Sequence, residues 1–97
     1  MLLNGEGLQA TATTSTQLWT ISKSGSNSLS VDVEGTPDVY VAVNCSIAEF
    51  DVLHAANKTI KVRNGVAFGF YGDQYTNIKS VCYQAASTTS AINFGAY

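Results

Sequence analysis

The sequence predicts an all-β domain, an antiparallel β-sandwich or jelly-roll-like barrel of about seven to nine short strands. Three observations predict it. In "SLSVDV" apolar and polar residues alternate, placing Leu29, Val31 and Val33 on one face and Ser28, Ser30 and Asp32 on the other. Turn-forming clusters recur about every eight to twelve residues. No internal repeat or long linker divides the 97 residues, so a single domain over 1–97 accounts for the chain.

Taken in order, "MLLNGEGLQATATTSTQ" has Leu2, Leu3 and Leu8 as its apolar anchors. Residues 1–16 suit either an extended arm that orders on a neighbouring chain or a short first strand. "TQLWTIS" favours β-structure, and "KSGSN" is a loop leading into "SLSVDV". In "EGTPD", Gly35 is free to take a positive φ and Pro37 stops the ladder. "VYVAV" is apolar on both faces, with Val39, Val41 and Val43 set against Tyr40 and Ala42. Such a strand is central to a sandwich or covered by a neighbouring subunit. In "IAEFDVLHAAN" the spacing of Ile47, Phe50 and Leu53 suits a short helical turn or an irregular edge strand. "KTIKV" returns to alternation with Ile60 and Val62 inward, and Asn64-Gly65 predicts a type I′ hairpin. "VAFGFYG" follows, with Gly69 placed to mark a bulge. "GDQYTN" is a loop, and "IKSVCYQA" and "AINFGAY" are expected to form a final hairpin around "ASTTS".

Composition narrows the function. Charged residues make up 12% of the chain, about half the usual share, which gives weak electrostatic protection against association. The net charge is −2, so the basic face needed for nucleic-acid binding is not expected. Lys58, Lys61 and Arg63 read as the solvent face of one strand. No apolar run approaches the length of a membrane helix, and the N-terminus lacks the basic region of a signal peptide. Cys45 and Cys82 each lie in an apolar run and read as free thiols, small hydrophobes in effect, rather than as a bridge. Asn44 and Asn57 match the short glycosylation sequon, which occurs readily by chance.

A search for chemistry yields no catalytic, cofactor or metal set. His54 is the one histidine, with Asp51 three residues before it, a pairing open to a helical turn but not to a strand. Asp32, Glu34 and Asp38 surround one turn without the spacing of a calcium loop. No phosphate-binding glycine motif or nucleophile elbow occurs. The expectation is a protein that is not an enzyme and takes no cofactor or metal. Trp19 and the five tyrosines admit two uses, an exposed platform for sugar rings or a buried contact surface.

The C-terminal eighteen residues, "SVCYQAASTTSAINFGAY", carry no charge and finish on Ile92, Phe94, Ala96 and Tyr97. Either this chain or a second copy must cover that surface. The stretch from residue 28 to residue 97 resembles the small all-β virion proteins of tailed bacteriophages. Gly35, Asp38, Val39, Tyr40 and Val41 match a "G-x-x-D-V-Y-V" strand, and Ala56, Asn57, Ile60 and Val62 match the edge that follows it. Ile78, Ser80, Val81, Tyr83, Ala86, Ser87, Thr88 and Thr89 match an "I-x-S-V/I-Y" strand with an "A-S-x-T-T/S" tip. The chain departs from that pattern at "HAAN" and in the extra residues of "FGFYGDQYTN". The resemblance implies a virion structural protein, foremost a capsid decoration or cement protein. Its expected partners are the major capsid protein or other virion proteins, and copies of itself as a homo-oligomer, with a trimer favoured. A tail or head-fibre component and a carbohydrate-binding host-recognition module are the alternatives. The expected contact residues are Leu2, Leu3, Leu8, Trp19, Tyr40, Ile92, Phe94 and Tyr97.

Overall fold

Side-chain alternation builds the sheets, and β3 (Leu29–Val33) displays it: its three apolar residues are buried, while Ser30 and Asp32 are exposed. The computed structural model describes residues 6–22, 26–35, 37–63, 65–70 and 77–97. Strands β1 (Glu6–Ala12) and β2 (Gln17–Thr20) precede β3, and β4 (Val39–Val43) follows it. A helix, α1 (Ile47–Ala55), leads to β5 (Ile60–Val62), β6 (Ala67–Phe70), β7 (Ser80–Ala85) and β8 (Ser90–Ala96). They form two four-stranded sheets, ordered β1-β8-β3-β6 and β2-β7-β4-β5. All pairs are antiparallel, and β1 joins β8, β2 joins β7, β3 joins β6 and β4 joins β5. The chain is thus one long hairpin wound over itself, the eight-stranded double-sheet jelly roll. The sheets stay open, with β1, β6, β2 and β5 as edges.

Every connection between consecutive strands except β4 to β5 crosses from one sheet to the other. Two expected hairpins are corrected by this winding. A hairpin needs both strands in one ladder, yet Val62 pairs with Val39 while Phe70 pairs with Leu29. Gly65, at φ 74, turns the chain between sheets and donates its N–H to Val33 O at 2.7 Å; Asn64 lies outside the described residues. Likewise β7 pairs with β2 and β4, and β8 with β1 and β3, so "ASTTS" arches across the sandwich. The expected bulge at Gly69 does not form either. Gly69 sits in unbroken register opposite Ser30.

The core between the sheets takes Leu29, Val31 and Val33 from β3, Val39 and Val41 from β4, Val81, Tyr83 and Ala85 from β7, and Ile92, Phe94 and Ala96 from β8. Trp19 packs onto this core, its ring 5.7 Å from that of Phe94. The outer face of the second sheet has its own cover. Phe50 of α1 is fully buried, and so is Cys82, which pairs with Ala42 on that face. His54 stacks on Phe50 at 5.7 Å and meets Tyr40 edge-on at 4.4 Å. The second apolar face of β4 is therefore covered by the chain's own helix, not by a neighbouring subunit.

Local chemistry holds α1 in place. Ser46 Oγ accepts from the Glu49 N–H at 3.1 Å, and Glu49 Oε1 accepts from the Ser46 N–H at 2.8 Å, a reciprocal capping box. At the other end Asn57 takes φ 58 and donates to His54 O, while Lys58 donates to Leu53 O, the two bonds of a Schellman motif. Thr16 Oγ1 donates to Asp51 Oδ1 at 2.6 Å and ties the helix to the β1–β2 connection. No helix of the described residues is long and apolar enough to cross a membrane.

Candidate interaction surface

The expected contact residues divide sharply by burial. Ile92 is fully buried and Phe94 is 4% exposed, so the uncharged C-terminal strand is covered at home. These two side chains lie between the sheets and offer a partner no surface, which corrects that part of the expectation. Leu8 and Trp19 are half-buried against the same core, and Tyr40 is half-buried against His54. Tyr97 alone of the described set is well exposed, at 57%. Its backbone is fixed: Tyr97 O accepts from the N–H groups of Asn27 and Ser28 and from Ser26 Oγ. Leu2 and Leu3 lie outside the described residues. The arm expected over residues 1–16 is, from Glu6 to Ala12, the edge strand β1 paired along β8.

The edges differ in how they meet solvent. An edge strand presents unpaired N–H and C=O groups that template another strand unless charge, proline or a bulge blocks the approach. β5 is guarded by Lys61, which pairs with Asp38 at 3.5 Å, and by exposed Lys58 and Arg63 at its ends. The flank formed by β1 and β2 is stitched. Glu6 Oε2 accepts from the Ser22 N–H and hydroxyl at 3.1 and 3.2 Å, and the Gln17 side chain bonds Thr13 N and Thr11 O. β2 carries no charge either, and Leu18 on it is 43% exposed. Among the described residues, β6 has none of these guards. Its sequence, AFGF, has no charge, proline or bulge. Phe68 lies opposite core-facing Val31 yet is 38% exposed, because the sandwich is open on this flank, and Val66 before it is 44% exposed.

Beside this edge, one row of the first sheet's outer face has almost no side chain. Gly7, Gly95, Ser30 and Gly69 stand in one row across its four strands. A Cβ on Gly95 would come within 2.9 Å of Ser30 Oγ and 3.0 Å of the Tyr97 hydroxyl, so the absence of a side chain here admits the Tyr97 ring. The row runs out to β6, where nothing projects from Gly69 to repel an approaching chain.

A different environment lies at the start of α1. Cys45 and Glu49 line a shallow groove with Asn44, Asn77, Lys79 and Ser80. Burial pushes the Cys45 thiol up, with Glu49 adding repulsion, and pushes the Cys82 thiol up to about 12. Burial raises Tyr83 as well, whereas the hydrogen bonds from Ser46 hold Glu49 below the usual carboxylate range.

The groups weighed for chemistry are engaged separately. His54 Nδ1 lies 3.2 Å from Thr59 Oγ1, and Asp51 bonds Thr16, so the two do not form a dyad. Asp38 pairs with Lys61 and Glu34 accepts from Asn93, and no cluster among the described residues could hold a metal ion. Trp19 and Tyr83 point into the core while Tyr40 and Tyr97 lie on different sheets, so the described rings form no common platform; Tyr71 and Tyr75 lie outside the described residues. Sequence reasoning passed over Val66 and Phe68. The uncharged run "VAFGFYG" held the signal, but only the sheet order reveals it as an edge.

No protein-family model matches the chain, and no curated protein matches it. Among solved structures, it is similar to a chain from Bacillus endospore appendages, described as a novel family of disulfide-linked pili. The TM-score is 0.60 at 19% sequence identity, over 95% of this chain and 80% of the appendage chain. The likeness is one of fold.

Proposed function

We propose that this protein is a non-catalytic structural subunit, which associates with further protein chains, copies of itself first, along the β6 edge. The observation that carries the reading is an edge strand with no guard among the described residues, and with Phe68 partly exposed at the open flank of the sandwich. Strand addition supplies main-chain hydrogen bonds, and the uncovered Phe68 and Val66 supply apolar contact. The strand is four residues long, so a single contact is weak. Many copies fixed on one lattice or fibre make weak contacts effective through high local concentration. The low share of charged residues agrees with a surface that is covered in use. The likeness to a pilus chain supports the use of such a fold in a multi-copy appendage. A phage virion, with a decoration or cement role on the capsid, is the setting that the sequence resemblance of residues 28–97 favours.

The test is solution mass by size exclusion with light scattering across a concentration series, on the wild type and Phe68→Lys. Lysine at a partly exposed edge position can extend into water, so the fold is retained. The expected result is concentration-dependent association in the wild type, weakened by about tenfold or more in the variant, with an unchanged far-UV spectrum. Association of equal strength in both proteins would exclude the β6 edge, and a wild type monomeric at all concentrations would remove the self-assembly reading.

A further inference from the structure

The two cysteines lie far apart in sequence and side by side in the fold. β4 and β7 are neighbours in the second sheet, with Ala42 opposite Cys82, and the chain leaving β4 turns back over that position through Cys45 before α1 begins. Cys82 Sγ donates to Cys45 O at 3.2 Å, so the Cys82 thiol lies directly against the residue that carries the other thiol. Access is one-sided. Cys82 is fully buried beneath the helix, whereas Cys45 is half-buried and lines the groove between α1 and the sheet end.

We propose that Cys45 and Cys82 form an intrachain dithiol/disulfide switch, with Cys45 as the entry thiol and Cys82 as the resolving thiol. In exchange with a small disulfide R–S–S–R, the Cys45 thiolate attacks one sulfur and releases the first R–S⁻, which takes up a proton. The Cys82 thiolate then attacks Cys45 Sγ and releases the second R–S⁻. The net change is two protein thiols oxidised to one disulfide and one small disulfide reduced to two R–SH. The groove beside Cys45 gives the mixed disulfide room, and the buried partner lies against the Cys45 backbone. Both thiols resist ionisation, chiefly through burial, and Glu49 and Asp51 of α1 add to this at Cys82 while Lys79 lines the groove. Exchange is accordingly slow at neutral pH and faster in alkali. The product would fasten the start of α1 to the centre of the second sheet.

The experiment uses the full chain with oxidised glutathione in mildly alkaline buffer, quenched by alkylation and read as intact mass without reductant. The wild type is expected to lose two hydrogens, to lose both alkylatable thiols and to stay one chain. Cys82→Ala is expected to stop at a persistent glutathione adduct on Cys45, and Cys45→Ala to remain unmodified. Three results would each overturn the proposal: two thiols still free in the wild type, a glutathione adduct that persists there, or chains joined covalently through Cys45.

Discussion

At the scale of single residues, apolar character and position in the sheet have to be separated. Phe94 and Tyr97 stand three residues apart in the same uncharged segment, yet one is core and the other surface. Phe94 contacts both Trp19 and Tyr83 between the sheets, at ring separations of 5.7 and 5.0 Å. A carboxylate there would be buried without a partner. Such changes cost upward of about 4 kcal/mol, a large part of the stability of about 5–15 kcal/mol usual for a domain. Phe94→Asp is therefore expected to yield an unfolded or barely folded chain. Tyr97→Lys should shift stability by less than about 0.5 kcal/mol, because the bonds that fix Tyr97 run through its backbone. Thermal unfolding of both variants checks this. A cooperatively folded Phe94→Asp protein with a near-normal melting temperature would mean that β8 does not sit in this core. The sequence marked Ile92 and Phe94 as residues that something must cover, but left open whether this chain or a second copy covers them.

At the scale of elements, α1 carries a pH-sensitive cap in Ser46 and Glu49. Ser46→Ala removes the acceptor for the Glu49 N–H and should lower stability by about 1 kcal/mol, or about 4–8 °C in melting temperature for a domain of this size. Glu49 is stabilised in its charged form by the two hydrogen bonds with Ser46, so its folded-state pKa lies below the ordinary 4.5. Its contribution is complete above the unfolded value and is lost as pH falls through the depressed folded one. Glu49→Gln should accordingly melt below the wild type at neutral pH, with the difference closing in acid below about 4.5. A difference independent of pH would mean that the capping box is not maintained in solution. The spacing of Ile47, Phe50 and Leu53 made a helical turn legible beforehand. Its role did not follow, because the outward residues of β4, Tyr40 and Ala42, ask only for an apolar cover. A helix and a second subunit meet that demand equally well. Burial of Phe50 on α1 and of Cys82 beneath it decides between them.

At the scale of the whole molecule, strand number and class were legible, whereas strand order was not. Gly65 provides a positive φ equally well in a hairpin and in a turn between sheets, and the tip at "ASTTS" is similarly indifferent. Pairing is decided by which neighbours bury both faces of the strands, a property of the complete chain. The consequence is a fold in which the first and last strands meet: Glu6 pairs with Ala96, and β8 lies between β1 and β3. Closing such long loops before native contacts offset the entropy makes folding slow, in the range of about milliseconds to seconds usual for all-β domains. The same order makes the two ends unequal. β1 is an edge, and of its inward residues Leu8 and Ala10 are half-buried while Ala12 alone is fully buried, so a chain lacking residues 6–12 should remain folded with lowered stability. β8 is internal. Removing residues 91–97 takes Ile92, Phe94 and Ala96 from the core and parts β1 from β3, so that chain should show neither a cooperative melt nor dispersed amide resonances. A cooperative transition in the chain without residues 91–97 would refute the winding of strands described for the first sheet, and with it the identification of β6 as the edge opposite β1.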